Sequence, residues 1–274
     1  GGIARKTYHD SVGGKLPTNL WPCEEVGHTD EAKKEVKALF GGTAPFDTPK
    51  PVRLLDRILT IATDKDSLVL DYFSGSATTA HAIMKKNMED NGKRKFIMVQ
   101  LPEKSNSPDY DNLCEIGEER IRRAGRKIKE ENPLVTKDLD IGFRVLRLDS
   151  SNMKDVYYTP SDYTPDMFDM LTDNIKEDRT PEDLLFQVML DRGIPLSSRV
   201  EETTIAEKRV FNVENNFLMA CFDTDLTDET VTAIAKMKPY YFVMRDSSMA
   251  NDSVAANFDQ IFSTYTPDTD RKVL

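Results

Sequence analysis

LVLDYFSGSATTAHAIMKKNMEDNGKRKFIMVQLPE, residues 68–103, contains an apolar run that ends at Asp71, small residues around Gly75, and a helical pattern that begins at Thr78. A second apolar run occupies residues 96–99. This order predicts one βαβ unit with two parallel strands. Its first turn lies at the carboxyl edge of the sheet, where open α/β folds bind ligands. Gly75 allows a ligand close to the backbone, and the helix start offers N–H groups to an anion.

The residues of this turn leave two interpretations open. Residues 73–78 lack the three spaced glycines of the dinucleotide-binding pattern, so the turn is either a cofactor pocket or an ordinary tight connection. Asp71–Ala82, DYFSGSATTAHA, resembles motif I of amino-methylating DNA methyltransferases, and most closely the modification (Mod) subunits of type III restriction-modification systems. Phe46–Leu59, FDTPKPVRLLDRIL, resembles the motif X that precedes motif I in the β arrangement of those enzymes.

This resemblance implies a fold and a reaction. The expected fold is α/β: part of a Rossmann-like methyltransferase domain with a parallel sheet, followed by a smaller α/β domain. The implied activity is methylation of adenine N6 in DNA, with S-adenosylmethionine as cofactor. The implied partners are DNA, through the intact protein, a second Mod protomer and the restriction subunit.

The same resemblance implies which residues bind the cofactor. The segment from Phe46 to Pro51 is expected to lie over the methionine end of S-adenosylmethionine, with Lys50 or the local backbone near its carboxylate. From the residues alone, Thr48 is predicted to cap a helix whose first turn holds Pro49 and Pro51. The full set of implied cofactor-binding residues is Thr48, Lys50, Pro51, Asp71, Phe73, Gly75, Ser76, Thr78, Gln100 and Glu103.

Each group in the turn is assigned by its chemistry. Asp71 is expected to accept a hydrogen bond from the ammonium, directly or through water, and Phe73 to offer an apolar edge to the adenine or methionine part. Gly75, Ser76 and Thr78 suit the carboxylate through their backbone N–H groups. Many related methyltransferases carry an acid at the end of the second strand. Here that position is Gln100, so the ribose contact stays open between Gln100 and Glu103.

A catalytic motif is missing from the sequence. Amino-methyltransferases hold the target amine with an Asp-Pro-Pro-Tyr type motif, and no such tetrapeptide occurs here. In the β arrangement that motif and the target-recognition region lie before motif X. The chain also begins Gly1-Gly2 without methionine. We therefore expect a fragment with the cofactor-binding half, without catalytic residues, that methylates nothing alone. His81, within the helix, is expected to be a packing or capping residue.

Composition limits the partners. The net charge of −10 argues against sequence-independent nucleic-acid binding by the chain as a whole. Residues 115–130 predict a local basic helix that includes Arg120 and carries Arg122, Arg126 and Lys129 on one face. This face contacts either phosphates or solvent, with its charges in ion pairs. The three cysteines are far apart, which predicts neither disulfides nor a zinc cluster. We therefore expect a cytoplasmic protein in which all three are buried or half-buried thiols. No apolar run reaches the roughly 18 residues of a membrane span.

The 274 residues are enough for two domains. We assign residues 1–148 to the S-adenosylmethionine-binding part, which carries motifs X, I and II, and residues 149–183 to an acidic connector that carries one short helix. Residues 184–274 are assigned to a small parallel α/β domain for subunit contacts. Alternating residues at 143–148 predict a half-buried strand, FRVLRL. After residue 184, helical and apolar patterns predict two strands, each followed by a helix.

Two other functions stay open for this second domain. Asp223, Asp225 and Asp246 follow its predicted strands, where a divalent metal would support phosphoryl transfer or nuclease chemistry. Aspartates in such positions are also common turn and capping residues. The third possibility is an assembly fragment that binds no small molecule.

Overall fold

The computed structural model describes residues 17–154, 174–249 and 252–274. The chain divides into two compact units, Gly1–Val145 and Leu146–Leu274. Part of the predicted connector, residues 155–173, lies outside the described residues, including the short helix expected there. The described residues at either end of this connector belong to the second unit. There, Met153 pairs with Ile175 in an isolated bridge, and Ile175 is buried in the core.

The first unit contains a small parallel sheet and five helices among its described residues. The predicted strand–helix–strand order is confirmed, with each boundary within a few residues of its expected place. The elements are α1 (Cys23–Val26), α2 (Thr29–Leu39), α3 (Val52–Ala62), β1 (Leu68–Asp71), α4 (Thr78–Asp90), β2 (Lys95–Met98) and α5 (Leu113–Glu131).

Strands β1 and β2 are parallel, in a register that places Leu68 opposite Lys95 and Asp71 opposite Met98. Because side chains alternate along a strand, the two faces differ. One face packs against α3 and α4 through Val69 and Phe96. The opposite face is exposed, although parallel sheets are usually covered on both sides. Its exposed apolar side chains are Leu68, Leu70, Ile97, Val99 and Leu101.

Helix α3 begins later than predicted. Its N-cap is Pro51, with an extended backbone, so Thr48 caps no helix and Pro49 lies outside the first turn. The reason is steric, because a residue before proline is pushed out of the helical region. The first helical N–H, that of Val52, instead donates to Oε2 of Glu35 on α2 at 3.1 Å.

The second unit is built on a mixed sheet in the order β3-β4-β5-β6-β7. The prediction of a parallel domain was therefore wrong in part, because β3, β4 and β5 are antiparallel neighbours, whereas β5, β6 and β7 are parallel. Its described elements are α6 (Pro181–Asp191), β3 (Val200–Ile205), β4 (Lys208–Val213), β5 (Leu218–Cys221), α7 (Asp228–Lys236), β6 (Tyr241–Met244), a 3-10 turn (Asp246–Ser248), α8 (Asp252–Tyr265) and β7 (Asp270–Val273).

This sheet has a core on each face. Helix α6 packs on one face, where Leu185 and Val188 meet Val213 and Val243. Helices α7 and α8 pack on the other face, as shown by Phe258 beside Phe242. Alternate residues of β5 and β6 therefore enter different cores, and both strands are apolar throughout.

The strand predicted at residues 143–148 is absent from the structure, which describes this whole segment. A strand needs a partner for its backbone groups, and alternation alone does not supply one. Leu148 is fully exposed. No helix in the described part of the chain has the length and apolar character of a membrane span.

Candidate cofactor site

The turn between β1 and α4 has a left-handed backbone at two positions. Gly75 has φ +51° and Ala77, the N-cap of α4, has φ +57°. The Ala77 N–H donates to the Ser74 carbonyl at 2.7 Å, and the Ser74 N–H donates to the Val99 carbonyl at 3.1 Å. The turn is therefore fixed both internally and to the end of β2. It matches the tight βα connection that the small residues predicted.

Asp71 braces this turn from the end of β1. Its Oδ1 accepts the Phe73 N–H at 3.2 Å, and its Oδ2 accepts the Thr79 hydroxyl at 2.5 Å. Thr79 is buried in the first turn of α4. The carboxylate thus links the strand end to the helix start, a structural role that the sequence did not reveal.

The proline-rich segment borders the same turn. A Cβ added to Gly75 would lie 3.3 Å from Cζ of Phe46, so the Phe46 ring occupies the space beside the glycine. Within the segment, Pro49 and Pro51 are buried, whereas Thr48 and Lys50 are exposed. The structure therefore brings together the two segments that resemble motifs X and I.

Helix α5 supports the turn from behind. A Cβ on Gly117 would lie 3.5 Å from both the Gly75 carbonyl oxygen and the Ala77 Cβ. Three residues further along α5, Arg120 is completely buried. Its Nη1 donates to Oγ of Ser76 at 2.8 Å and to Oγ1 of Thr78 at 2.7 Å. The hydroxyls of Ser76 and Thr78 therefore face inward, toward α5.

Gln100 is part of the turn's framework. Its Oε1 accepts the Gly75 N–H at 2.8 Å, and its Nε2 donates to the Leu101 carbonyl at 3.2 Å. Glu103 is exposed, and its backbone pairs with Leu101 and Leu113. The two candidates for the ribose contact thus differ, because the side chain of Gln100 already holds the glycine.

Two aromatic rings stand exposed where β1 ends. Phe73 is 81% exposed and Tyr72 is 64% exposed, and their ring centroids are 4.9 Å apart. Such exposure of neighbouring large apolar side chains is typical of a surface that contacts a ligand or another protein segment.

Comparison with known proteins shows which proteins this chain is similar to. Residues 4–123 match the family model described as DNA methylase. The chain is 39% identical over 176 residues to the Mod subunit of the type III restriction-modification enzyme StyLTI from Salmonella typhimurium LT2, which covers 62% of this chain and 25% of that subunit. It is 38% identical over 138 residues to the EcoPI Mod subunit of Escherichia phage P1, covering 48% and 21% of the two chains.

A third Mod subunit, EcoP15I of Escherichia coli, is 32% identical over 124 residues, covering 43% of this chain and 18% of its own length. This part of the chain is similar to the Mod subunits of type III restriction-modification enzymes. The resemblance inferred from the two sequence motifs is confirmed. The chain spans about a quarter of the length of the StyLTI Mod subunit, and less of the others.

The residues that match the DNA methylase family model, 4–123, include the glycine turn and the first part of α5. Arg122, Arg123 and Lys127 on this helix form ion pairs with the glutamates Glu118, Glu119 and Glu131. This face of α5 is therefore solvated and ion-paired, as the second of its two interpretations predicted. Arg120, another basic residue of this helix, points into the core instead.

The metal interpretation of the second unit is not supported by the structure. No group of three or more potential ligands that could hold a metal occurs among the described residues. Asp223 instead accepts the Arg209 N–H at 2.7 Å, Asp225 accepts the Thr224 hydroxyl at 3.1 Å, and Asp246 begins a 3-10 turn. These are turn roles. The cysteines are free, but Cys23 is exposed rather than half-buried as expected.

His81 is a packing residue with an unusual pKa. Its Nδ1 is buried and has no hydrogen-bond partner in the described part of the chain. Burial, assisted by the nearby charge of Arg120, lowers the pKa of His81 from 6.5 to about 3. The unfolded chain therefore takes up a proton below about pH 6.5, whereas the folded chain does so near pH 3. Stability is lost as the pH falls through this window.

We predict that His81→Gln flattens this pH dependence. A single such group contributes a slope of up to about 1.4 kcal/mol per pH unit, so the variant should lose about 1–2 kcal/mol less stability between about pH 6.5 and 4.5. Urea unfolding at several pH values in this window measures the slope. Identical slopes for the two proteins would show that His81 is not the responsible group.

Proposed function

We propose that this chain carries the S-adenosylmethionine-binding part of a DNA adenine-N6 methyltransferase of the Mod type. The observation that supports this most directly is the contact between Phe46 and Gly75. It places the proline-rich segment beside the glycine turn, as a shared binding surface requires.

The residues of the site suit each chemical group of S-adenosylmethionine in turn. The N-terminus of α4 has no side-chain cap among the described residues, and free N–H groups at a helix start favour a carboxylate. Asp71, at the end of β1, suits the ammonium, and the exposed rings of Tyr72 and Phe73 suit adenine. Because Gln100 holds Gly75, we propose that the carboxylate of Glu103 accepts the ribose hydroxyls.

Bound S-adenosylmethionine supplies the methyl group, while this part of the chain binds and orients it. The residues that act on the target adenine are proposed to come from outside these 274 residues, because the sequence contains no Asp-Pro-Pro-Tyr type motif. The exposed apolar face of β1 and β2, with Leu70 and Ile97, suits the packing of that missing part. By itself the chain is proposed to methylate nothing.

The partners of the intact protein follow from the same proposal. DNA contacts are assigned to the intact enzyme, since the basic helix α5 is neutralised by its own glutamates. The second unit, with its separate mixed sheet, is proposed to mediate contact with a second Mod protomer or with the restriction subunit.

Titration with nucleoside ligands tests this function. We predict that S-adenosylmethionine and S-adenosylhomocysteine bind the full chain in calorimetry and raise its unfolding midpoint. A ligand at about 100 times its Kd adds roughly 2.7 kcal/mol of stability. Mg²⁺ alone should give no response. Stabilisation by Mg²⁺ without a nucleoside response would support the metal-dependent alternative, and no response to any ligand would leave the assembly function.

A further inference from the structure

Arg120 is a buried charge without a carboxylate partner. Its side chain has no exposed surface, and no ion pair to it is found among the residues that the structure describes. Nη1 makes its two bonds to hydroxyls, whereas Nε and Nη2 have no hydrogen-bond partner in the same residues. An arginine in this state is unusual, because buried charges are normally paired.

The buried, unpaired guanidinium of Arg120 lowers the stability of the folded chain. Burial lowers the pKa of Arg120 to about 10, against the opposing effect of Glu35, so the guanidinium stays charged at neutral pH. Replacement of a buried charge by an apolar side chain of similar volume is often neutral or stabilising. Packing alone therefore gives no reason for an arginine at this position.

The position of the Arg120 charge, beside the N-terminus of α4, is a second unfavourable contribution to stability. Ser76 and Thr78, which accept from Nη1, flank the N-cap of α4, and no side chain in the described residues caps this 13-residue helix. The N-terminus of a helix carries a partial positive charge, so a cation beside it is unfavourable. An anion bound at the turn would relieve both the helix dipole and the buried guanidinium.

We propose that Arg120 is a positioning residue that tunes the glycine turn for an anionic ligand group. It fixes Ser76 and Thr78 through their hydroxyls, and its charge favours a carboxylate on the outer side of the turn without touching it. This inference rests on the proposed function, in which the carboxylate is that of the methionine part of the cofactor.

A pair of ligands that differ in one carboxylate tests the proposal. The ligands are S-adenosylhomocysteine and 5′-deoxy-5′-(3-aminopropylthio)adenosine, which is the same molecule without its carboxylate. Calorimetry with the full chain gives a Kd for each ligand. Arg120→Met should weaken S-adenosylhomocysteine binding at least about tenfold, as expected for two charges that lie roughly 12 Å apart or closer at an effective dielectric constant of about 20. The Kd of the decarboxylated ligand should change less than about twofold, since that ligand lacks the charge.

Three further variants complete the test. Arg120→Lys keeps the charge and should restore most of the affinity for the carboxylate. Arg122→Gln, on the exposed ion-paired face of the same helix, is the matched control and should leave both affinities unchanged. Arg120→Gln takes the place of Arg120→Met if the latter fails to fold by circular dichroism.

The outcomes separate this inference from the proposed function. Equal weakening of both ligands by Arg120→Met, with no rescue by Arg120→Lys, would show a merely structural role and overturn the inference alone. If the wild-type chain binds neither ligand, the proposed function fails and the inference fails with it.

Discussion

Gly75→Val is expected to weaken binding of S-adenosylhomocysteine by about 100-fold or more, equivalent to about 2.7 kcal/mol. Gly75 has φ +51°, and a left-handed backbone costs other residues about 1–2 kcal/mol, with β-branched residues the least tolerant. The new Cβ would also lie 3.3 Å from Phe46, so the two segments of the proposed site would be forced apart. Calorimetric titration of the variant measures the loss.

Gly41→Val is the matched control for this substitution. Gly41 has φ +70° but no neighbouring atom within 4 Å of an added Cβ. It therefore introduces comparable backbone strain in the same unit without closing the space beside Phe46. Its affinity for S-adenosylhomocysteine should stay within about twofold of the wild-type value, since the strain lies outside the site. Equal losses in both variants would assign the effect to general destabilisation.

Asp71→Ala is expected to reduce nucleoside affinity by roughly 50-fold to 100-fold, while the chain stays folded. Hydrogen bonds to charged groups contribute about 1.5–3 kcal/mol each, and Asp71 makes two of them across the turn. Their loss releases the Phe73 backbone and the start of α4, and it removes the proposed partner of the ligand ammonium. Calorimetry gives the affinity, and urea unfolding gives the stability.

Thr79→Val separates these two effects of Asp71. It removes the hydroxyl that donates to Asp71 but leaves the carboxylate at the end of β1. We expect a smaller loss of affinity than in Asp71→Ala, because the proposed ammonium contact remains. Asp223→Ala, in the second unit, should not alter nucleoside binding. If Thr79→Val reproduces the full loss, Asp71 acts on the turn alone and does not bind the ligand.

The central βαβ unit was predictable because its signals are local. An apolar run, a glycine and a helical pattern follow one another within residues 68–99, and the parallel pairing follows from the chain connection. The packing of Phe46 against Gly75 was not visible in the same way. It depends on a contact between separate segments, and the resemblance to two methyltransferase motifs supplied the expectation.

Arg120 shows a signal that was present and missed. Ile116, Arg120 and Ala124 are spaced four residues apart, so the arginine lies on the buried stripe of α5. Its neighbours Arg122 and Arg123 occupy the exposed or half-buried face. Composition grouped all three as basic residues, whereas helical periodicity alone separates them.

The sheet of the second unit was only partly visible in the sequence. Strands β5 and β6 are apolar throughout and were predicted, since burial on both faces leaves a continuous apolar run. The turn of the β3–β4 hairpin is formed by Ala206 and Glu207, both with positive φ, and neither residue type signals such a turn. Strand β7, DRKV, is largely polar and depends on its pairing with β6.

Hydrogen exchange with and without S-adenosylhomocysteine tests the central claim most directly. The claim is that residues 46–51 and the turn from Asp71 to Thr79 form one binding surface for an adenosyl amino acid. We predict that the ligand slows amide exchange in both segments together, with no change in the second unit. Slowed exchange in one segment without the other, or in neither, would contradict the account.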